Sequence, residues 1–519
     1  MRFYFFITGL AMVIVPLSVT GSQSLMALSI VTGVGLQLHK QIKRLLKSHS
    51  SADHDRLAPG FHSRTGTLIG KWPLYSGWIL FAWLLLIYGI RSLQYLISGN
   101  PLFHPAPYHN ELTDFFLFLF AFLAAVPLLA GSALRQEKNS QSTFRWLYLV
   151  LTVFAVLVVL SGLGAVFSEV RLSKLFTGHG SEFSASNRPQ FVFRTVGELV
   201  LYRPIGFMNT RLSYAGILIF ALAVLLHRFH ESALTLRSPH SAGEESMEIK
   251  EKHISGNRAS LRKWALLLTW AGLWFTGVIL LLMNGSRSGQ IGALISQLCI
   301  LAFFSRNLWS PLLPKKKSLW ATLAAVLVLV MGSGLYIYLL DSGTHRHTDF
   351  MRPLIWKGSY SLFAEHPLLG VGPGNFTDWF HRWVSEFYLE HPRTMYFLEI
   401  TPDSHAHNDL LHLLTLGGLP AGILFLTLIL YSVQSLFDTM SRGWHRTARS
   451  RTKENKIEGF EDYRFIDLEM ALRSTLPGFF VAGLSQCYFQ DDEVVVVFWV
   501  FLLSALVLKA LRSKPRHQG

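Results

Sequence analysis

Apolar runs of about 17–25 residues, separated by short polar links, recur from one end of the chain to the other. A helix of about 20 such residues, rising 1.5 Å per residue, covers the roughly 30 Å of hydrocarbon in a bilayer. About twelve runs of this kind lie near 3–20, 22–38, 74–96, 113–134, 146–168, 211–228, 263–283, 289–305, 319–340, 408–436, 468–488 and 493–511. The pattern predicts an all-α fold: a polytopic membrane helix bundle of about twelve transmembrane helices, with residues 1–519 as a single membrane domain. The opening "MRFYFFITGLAMVIVPLSVTGSQS" has the shape of a signal peptide, but a second apolar run follows at once, so it is expected to remain as the first helix. Between spans nine and ten the stretch 341–407 is far longer than a passive turn. It is predicted to be a large outer loop containing short helices, among them an amphipathic one in "WFHRWVSEFYLEHPRTMYF".

Charge supplies the orientation. Lys40, Lys43, Arg44, Lys47, Arg56, Arg64 and Lys71 crowd the link after span two. Arg135 and Lys138, "RNLWSPLLPKKKS", "SRGWHRTARSRTKENK" and the tail "RSKPRHQG" all fall on the same side if there are twelve spans. That side is cytoplasmic by the positive-inside rule, and so are both termini. The net charge of +15 is thereby explained by topology, without a nucleic-acid partner. Only 15% of the residues are charged, against about a quarter in soluble domains. Cys299 and Cys487 both lie in apolar runs and read as packing residues, neither a disulfide framework nor a metal site.

The outer links should be poor in Arg and Lys, as "SGNPLFHPAPYHNELTD" is, yet Arg188, Arg194, Arg203, Arg211, Arg287 and Arg352 all fall there. A guanidinium near a helix end can hold an anion through its fork of donors. The ordinary alternative is a snorkelling side chain or a local ion pair. Arg287 in "NGSRSGQIG" and Arg203 in "LYRPIGFMNTRLSYAG" stand beside glycine turns, which let a ligand approach the backbone closely. Arg211, Arg352, Arg188 and Arg194 carry weaker versions of the same argument.

On the same face, residues 403–412 read "DSHAHNDLLH" at the mouth of span ten. Three chemistries compete. A metal site would use His405 and His407 with Asp403 and Asp409, but HxH alone lacks the spacing of a metal-binding helix. Helix capping by Asp403, Ser404 or Asn408 accounts for the polar residues but not for the histidines. General-base catalysis accounts for an imidazole at the aqueous boundary, where His407 stands if Asn408 opens the helix. His412 lies a turn deeper and reads as a core residue, with His405 as a partner to the base.

"HAHNDLLHLLTLGGLPAG" resembles the signature of the O-antigen ligase and O-antigen polymerase superfamily, in which a His followed by Asn, Ser or Gln precedes a Gly after nine residues. Here His407 and Asn408 are followed by nine residues and then Gly418; the family's next small or aromatic position falls on Ala421, with Gly422 one later, a mild departure. "FAEHPLLGVGPGNF" at 363–376 is similar to the family's outer-loop motif. "NGSRSG" and "RPIGFMNTRLSYAG" are similar to two further elements, so the likeness covers roughly 200–435.

The resemblance implies a transferase that moves a glycan from undecaprenyl diphosphate to an acceptor hydroxyl on the periplasmic face of the bacterial inner membrane. His407 would be the base, and Arg203 and Arg287 the clamp on the diphosphate. Arg352, Arg211, Asn408 and His405 are further expected substrate-binding residues. The reaction implied is inverting and needs neither metal nor cofactor. Ligation to lipid A–core is the leading reading, with O-antigen or exopolysaccharide polymerisation as the alternative. The amphipathic stretch of the 341–407 loop would then either cover the site, holding lipid-linked substrate or acceptor, or simply anchor at the interface. A transporter or flippase of lipid-linked sugars is the rival from another class. Against it stand the few charges within spans, the lack of related halves, and the gathering of polar groups on one face.

Overall fold

The structure is a computed structural model that describes residues 72–103, 137–172, 190–208, 210–237, 251–305, 347–392, 404–450 and 459–512. Predicted spans one, two, four and nine, with Arg188, lie outside the described residues. The described helices are α1 (Trp72–Ser98), α2 (Glu137–Val166), α3 (Arg211–Arg237), α4 (Glu251–Asn284), α5 (Arg287–Phe304), α6 (His347–Glu365), α7 (Phe376–Glu390), α8 (Asp409–Ser450), α9 (Gly459–Gly483) and α10 (Asp492–Arg512). Six of them, α1 to α5 and α8, contain stretches long and apolar enough to cross a membrane. This is a helical membrane protein.

The core is built around α3, which packs on α2, α4, α5, α9 and α10. Its spanning stretch is 83% buried, whereas that of α4 is 17% buried and presents leucines such as Leu266 and Leu268 outward. Helix contact in lipid depends on close backbone approach through small residues. The α5–α9 contact shows this: Gly292 and Gly478 face each other, and a Cβ on either would overlap the carbonyl of the other. Gly289 likewise rests on Ala215 of α3.

Helix α9 adds a buried pair to the few charges expected within spans. Glu469 and Arg473 are fully buried and paired at 2.9 Å. Ser435 and Thr439 of α8 complete the set, with Arg473 donating to the Ser435 hydroxyl and Thr439 to Glu469. Removing one partner of such a pair strands a buried charge, so the pair ties α8 to α9. The all-α expectation missed one element: β1 (Val192–Val196) and β2 (Leu199–Tyr202) form an antiparallel hairpin with a bulge between Val192 and Arg194.

The loop predicted at 341–407 contains α6 and α7. Helix α7 is amphipathic, and Phe376, Trp379, Phe380, Trp383 and Val384 are buried while His381, Arg382 and Glu386 are exposed. Its apolar face is therefore consumed within the protein. Phe376 stacks edge-on against His412 of α8 at 4.9 Å, and Trp379 donates to the Leu102 carbonyl at the end of α1.

Candidate active site

The histidine segment runs straight into α8. Asn408 caps that helix, its side-chain oxygen accepting from Leu411 N at 3.0 Å. Its amide nitrogen donates to the Leu484 carbonyl at 2.9 Å, and its backbone N–H donates to Cys487 Sγ. His407 is the one non-glycine residue with positive φ among the described residues, at 50°. A left-handed histidine costs about 1–2 kcal/mol and persists only where its neighbours fix it. Those neighbours are the bonds of Asn408 on one side and, on the other, Ala406 N donating to His412 Nδ1 at 3.4 Å.

Three imidazoles thus gather. His405 and His407 lie edge to face with centroids 4.4 Å apart, and His405 and His412 at 6.5 Å. His412 is buried, the core position expected of it. Among the described residues no cluster of His, Cys, Asp or Glu is arranged to hold a metal ion. Burial holds the His405 ring well below its ordinary pKa, and positive charge on His407 or His412 would push it lower still. The folded protein therefore favours neutral His405, while the unfolded chain takes up its proton near pH 6.5. The stability this gives is complete above about pH 6.5 and is lost as the pH falls below it. Thermal midpoints measured from about pH 7.5 down to 5.5 should fall, and His405→Gln should flatten that slope.

The segment 484–491, between α9 and α10, joins the histidines to the arginine links. Gln486 Oε1 lies 3.4 Å from His407 Nδ1. Phe489 N donates to buried Asp409 at 3.0 Å, and Gly483 is where a Cβ would overlap that carboxylate. Tyr488 meets Ser288, next to Arg287, at 3.2 Å. Asp491 accepts from Ser213 in the first turn of α3 at 2.5 Å.

The two arginine links are themselves tied together by Asn284, which is fully buried. Its amide donates to the carbonyls of Pro204 and Arg211 at 2.8 and 2.9 Å, and its oxygen accepts from Ser286 N. Both amide hydrogens and the oxygen are used, so this side chain has one orientation. Ser286 caps α5, with Arg287 as the first helical residue and Gly285 before it at φ 71°. Arg203 follows β2 directly, its N–H donating to the Phe191 carbonyl. Arg203, Arg211 and Arg287 thus stand on backbone fixed by one asparagine. Arg352 and Arg194 are not drawn in this way: Arg352 lies half-buried on α6 about two turns before Ser359, whose carbonyl accepts from Thr415, and Arg194 is exposed on β1.

The glycine motifs have a single physical cause. Helix α8 breaks at Gly418 (φ 66°, ψ −168°), two residues before Pro420. The break strands the carbonyls ahead of it. Thr415 and Leu416 accept from Val371 N and Gly372 N at 2.8 and 3.0 Å, and Gly417 accepts from Trp83 Nε1 at 2.7 Å. Leu419 N donates to Pro367 O in return. Arg91 of α1 donates to the Gly370 carbonyl from the other side. The loop motif at 363–376 is the complement of the broken helix.

Sequence reasoning picked out the histidines and the arginines, weighed Asp409 only as a metal ligand, and passed over Asn284, Gln486, Tyr488 and Asp491 as site residues. The acidic "QDDE" at 490–493, on the expected outer face beside an apolar span, was the one available signal.

These contacts define a helical membrane protein whose histidine segment, two arginine-bearing links and broken helix meet at one end of the bundle. Residues 271–426 match the family model described as O-antigen ligase, so this stretch of the chain is similar to the O-antigen ligase superfamily that its motifs resemble. The match takes in Arg287, His405, His407, Asn408 and Gly418, and leaves Arg203 and the 484–491 segment outside it. No curated protein matches the chain.

Proposed function

We propose that the chain is a glycosyltransferase of the periplasmic face of the bacterial inner membrane. It moves a glycan from undecaprenyl diphosphate to an acceptor hydroxyl, with lipid A–core as the acceptor that best fits an O-antigen ligase family match. Both termini are then cytoplasmic, the whole chain is one membrane domain, and residues 341–407 lie outside the bilayer. The observation that carries the reading is the left-handed His407, held by Asn408 and joined through 484–491 to the turn bearing Arg287.

His407 donates its Nδ1–H to Gln486, which leaves the lone pair on Nε2. That nitrogen takes the acceptor hydroxyl's proton as its oxygen attacks the sugar C1. The C1–O bond to the diphosphate breaks, the configuration inverts, and polyprenyl diphosphate departs. Its developing charge is offset by Arg203 and Arg287, with Arg211 and Arg352 contributing at longer range; guanidiniums at the edge of a low-dielectric region act more strongly than in water. Asn408 and His405 shape the histidine segment and meet the sugar. No step calls for a metal. The transporter reading draws on the buried charges of α9, yet Glu469 and Arg473 pair with each other and with α8, as a structural tie would.

Purified protein in liposomes, given undecaprenyl-diphosphate-linked glycan and lipid A–core, tests the proposal: glycosylated core should form without an ion gradient and in excess EDTA. Chain growth on a lipid-linked repeat as sole acceptor would reassign the protein to polymerisation. Movement of the lipid without any new glycosidic bond would sink the enzyme reading. Gln486→Leu should lower kcat by about 10–100-fold, the scale of losing an outer-shell partner, with KM for the donor little changed. Steady-state kinetics separate the two.

A further inference from the structure

The β1–β2 hairpin exposes more apolar surface than a water-facing element can. Every residue of β1 is exposed. Phe191, Val192, Val196 and Leu199 each show about half or more of their surface, and Phe193 sits outward at the bulge. A two-stranded hairpin on its own is marginal in water. A contiguous exposed apolar patch of this kind marks a contact surface.

Register and packing give the direction in which the patch faces. Val196 pairs with Leu199 and Arg194 with Leu201, all on one face. Leu201, at the base, packs against the core, and β2 touches α2. The hairpin therefore leans on the body by its base and projects its tip. Helix α2 contains a candidate membrane span, Phe144–Val166, and its outward stripe of Leu149, Leu160 and Leu163 continues past the helix end into Phe167 and Val170, which are 61% and 49% exposed. The stripe that meets lipid along α2 runs on towards the hairpin that rests on it.

We infer that the hairpin is an interfacial wedge whose tip enters the lipid leaflet on the side of the candidate site. The occupant of its apolar surface is bilayer lipid. Its unpaired strand edges keep it out of the deep hydrocarbon, where bare N–H and C=O groups are not tolerated. The boundary of headgroups and acyl chains suits it, with Arg194 and Glu198 reaching water and the valines, leucine and phenylalanines facing the chains. Arg203 follows β2 by one residue, so the wedge fixes the depth at which that guanidinium stands. Insertion itself does not depend on the transferase reading.

An environment-sensitive fluorophore on Val196→Cys or Leu199→Cys, in liposomes, tests the inference. Native Cys299 and Cys487 are buried, which leaves the new thiol as the reactive one among the described residues. Blue-shifted emission, quenched several-fold more by doxyl lipids than by aqueous iodide, is expected at both tip positions. The opposite ranking is expected at Ser385→Cys on the exposed face of α7. Iodide quenching at the tip would put the hairpin in water, and blue-shifted emission that neither quencher reaches would mean that protein covers it; either result overturns the inference. Lipid quenching at Ser385 as strong as at the tip would do the same, because the dye would then be choosing the location.

Discussion

His407→Asn should abolish measurable transfer while leaving the protein folded. Asparagine is the informative replacement because the position is left-handed, with φ at 50°. Asparagine adopts that region far more readily than alanine does, so the backbone strain is met without a new one. The cap made by Asn408, its bond to Leu484 and the Phe489–Asp409 bond are all untouched. What disappears is the group that titrates near neutrality. A positioned general base contributes about 10²–10⁴-fold, so product formation in reconstituted liposomes should fall by that factor. Thermal midpoint and purification yield should stay near those of the unaltered protein. Transfer at more than about a tenth of the original rate would remove His407 from the chemistry, since nothing smaller than a tenfold loss fits a base. Loss of activity together with loss of folded protein would not count for the base, and His407→Gln provides a second reading of the same question.

Hydropathy carried most of the helix map because a bilayer span needs only an unbroken apolar run of about 20 residues, a signal that needs no tertiary information. All eight predicted spans within the described residues correspond to helices, α1 to α5 and α8 to α10. The hairpin escaped because "FVFRTVGELVLY" lies in a link between spans, and its strands are too short for a period-two pattern to stand out. Glu469 and Arg473 escaped because two charges within an apolar run cost little in a hydropathy window, while their pairing is visible only across the α8–α9 contact. At the site, histidine and arginine were legible as chemistry out of place. Asn284 and Gln486 were not, because an amide gains meaning only from the carbonyl or ring it reaches, and Asn284 reaches a carbonyl 80 residues away. The glycines were legible as motif and illegible as cause until the helix break put Gly370 and Gly418 on opposite sides of one seam.

That seam gives the largest expected effect on the fold. Gly418→Ala introduces a Cβ at φ 66°, ψ −168°, a region that only glycine occupies comfortably. The new carbon would also overlap the Leu368 carbonyl in the loop that satisfies the broken helix. The conformational strain costs about 1–3 kcal/mol. Forcing the seam apart costs about as much again. Together these approach the net stability of a typical domain, about 5–15 kcal/mol. Relief by sliding the loop outward would break the bonds from Val371 and Gly372 to the carbonyls of Thr415 and Leu416, which leaves polar backbone unsatisfied where water is scarce. Helix α8 would then be free to straighten, and straightening moves its first turn, the one that carries His412 and the Asn408 cap. Gly418→Ala should therefore lower the thermal midpoint sharply and cost activity in proportion, through displacement of the histidine segment. Gly422→Ala, one turn later, is the matched control: the nearest atoms to its Cβ belong to the Leu414 side chain and not to backbone. A Gly418→Ala protein as stable as the Gly422→Ala protein would mean that the break in α8 is not what holds the loop, and that His407 owes its left-handed conformation to the 484–491 segment alone.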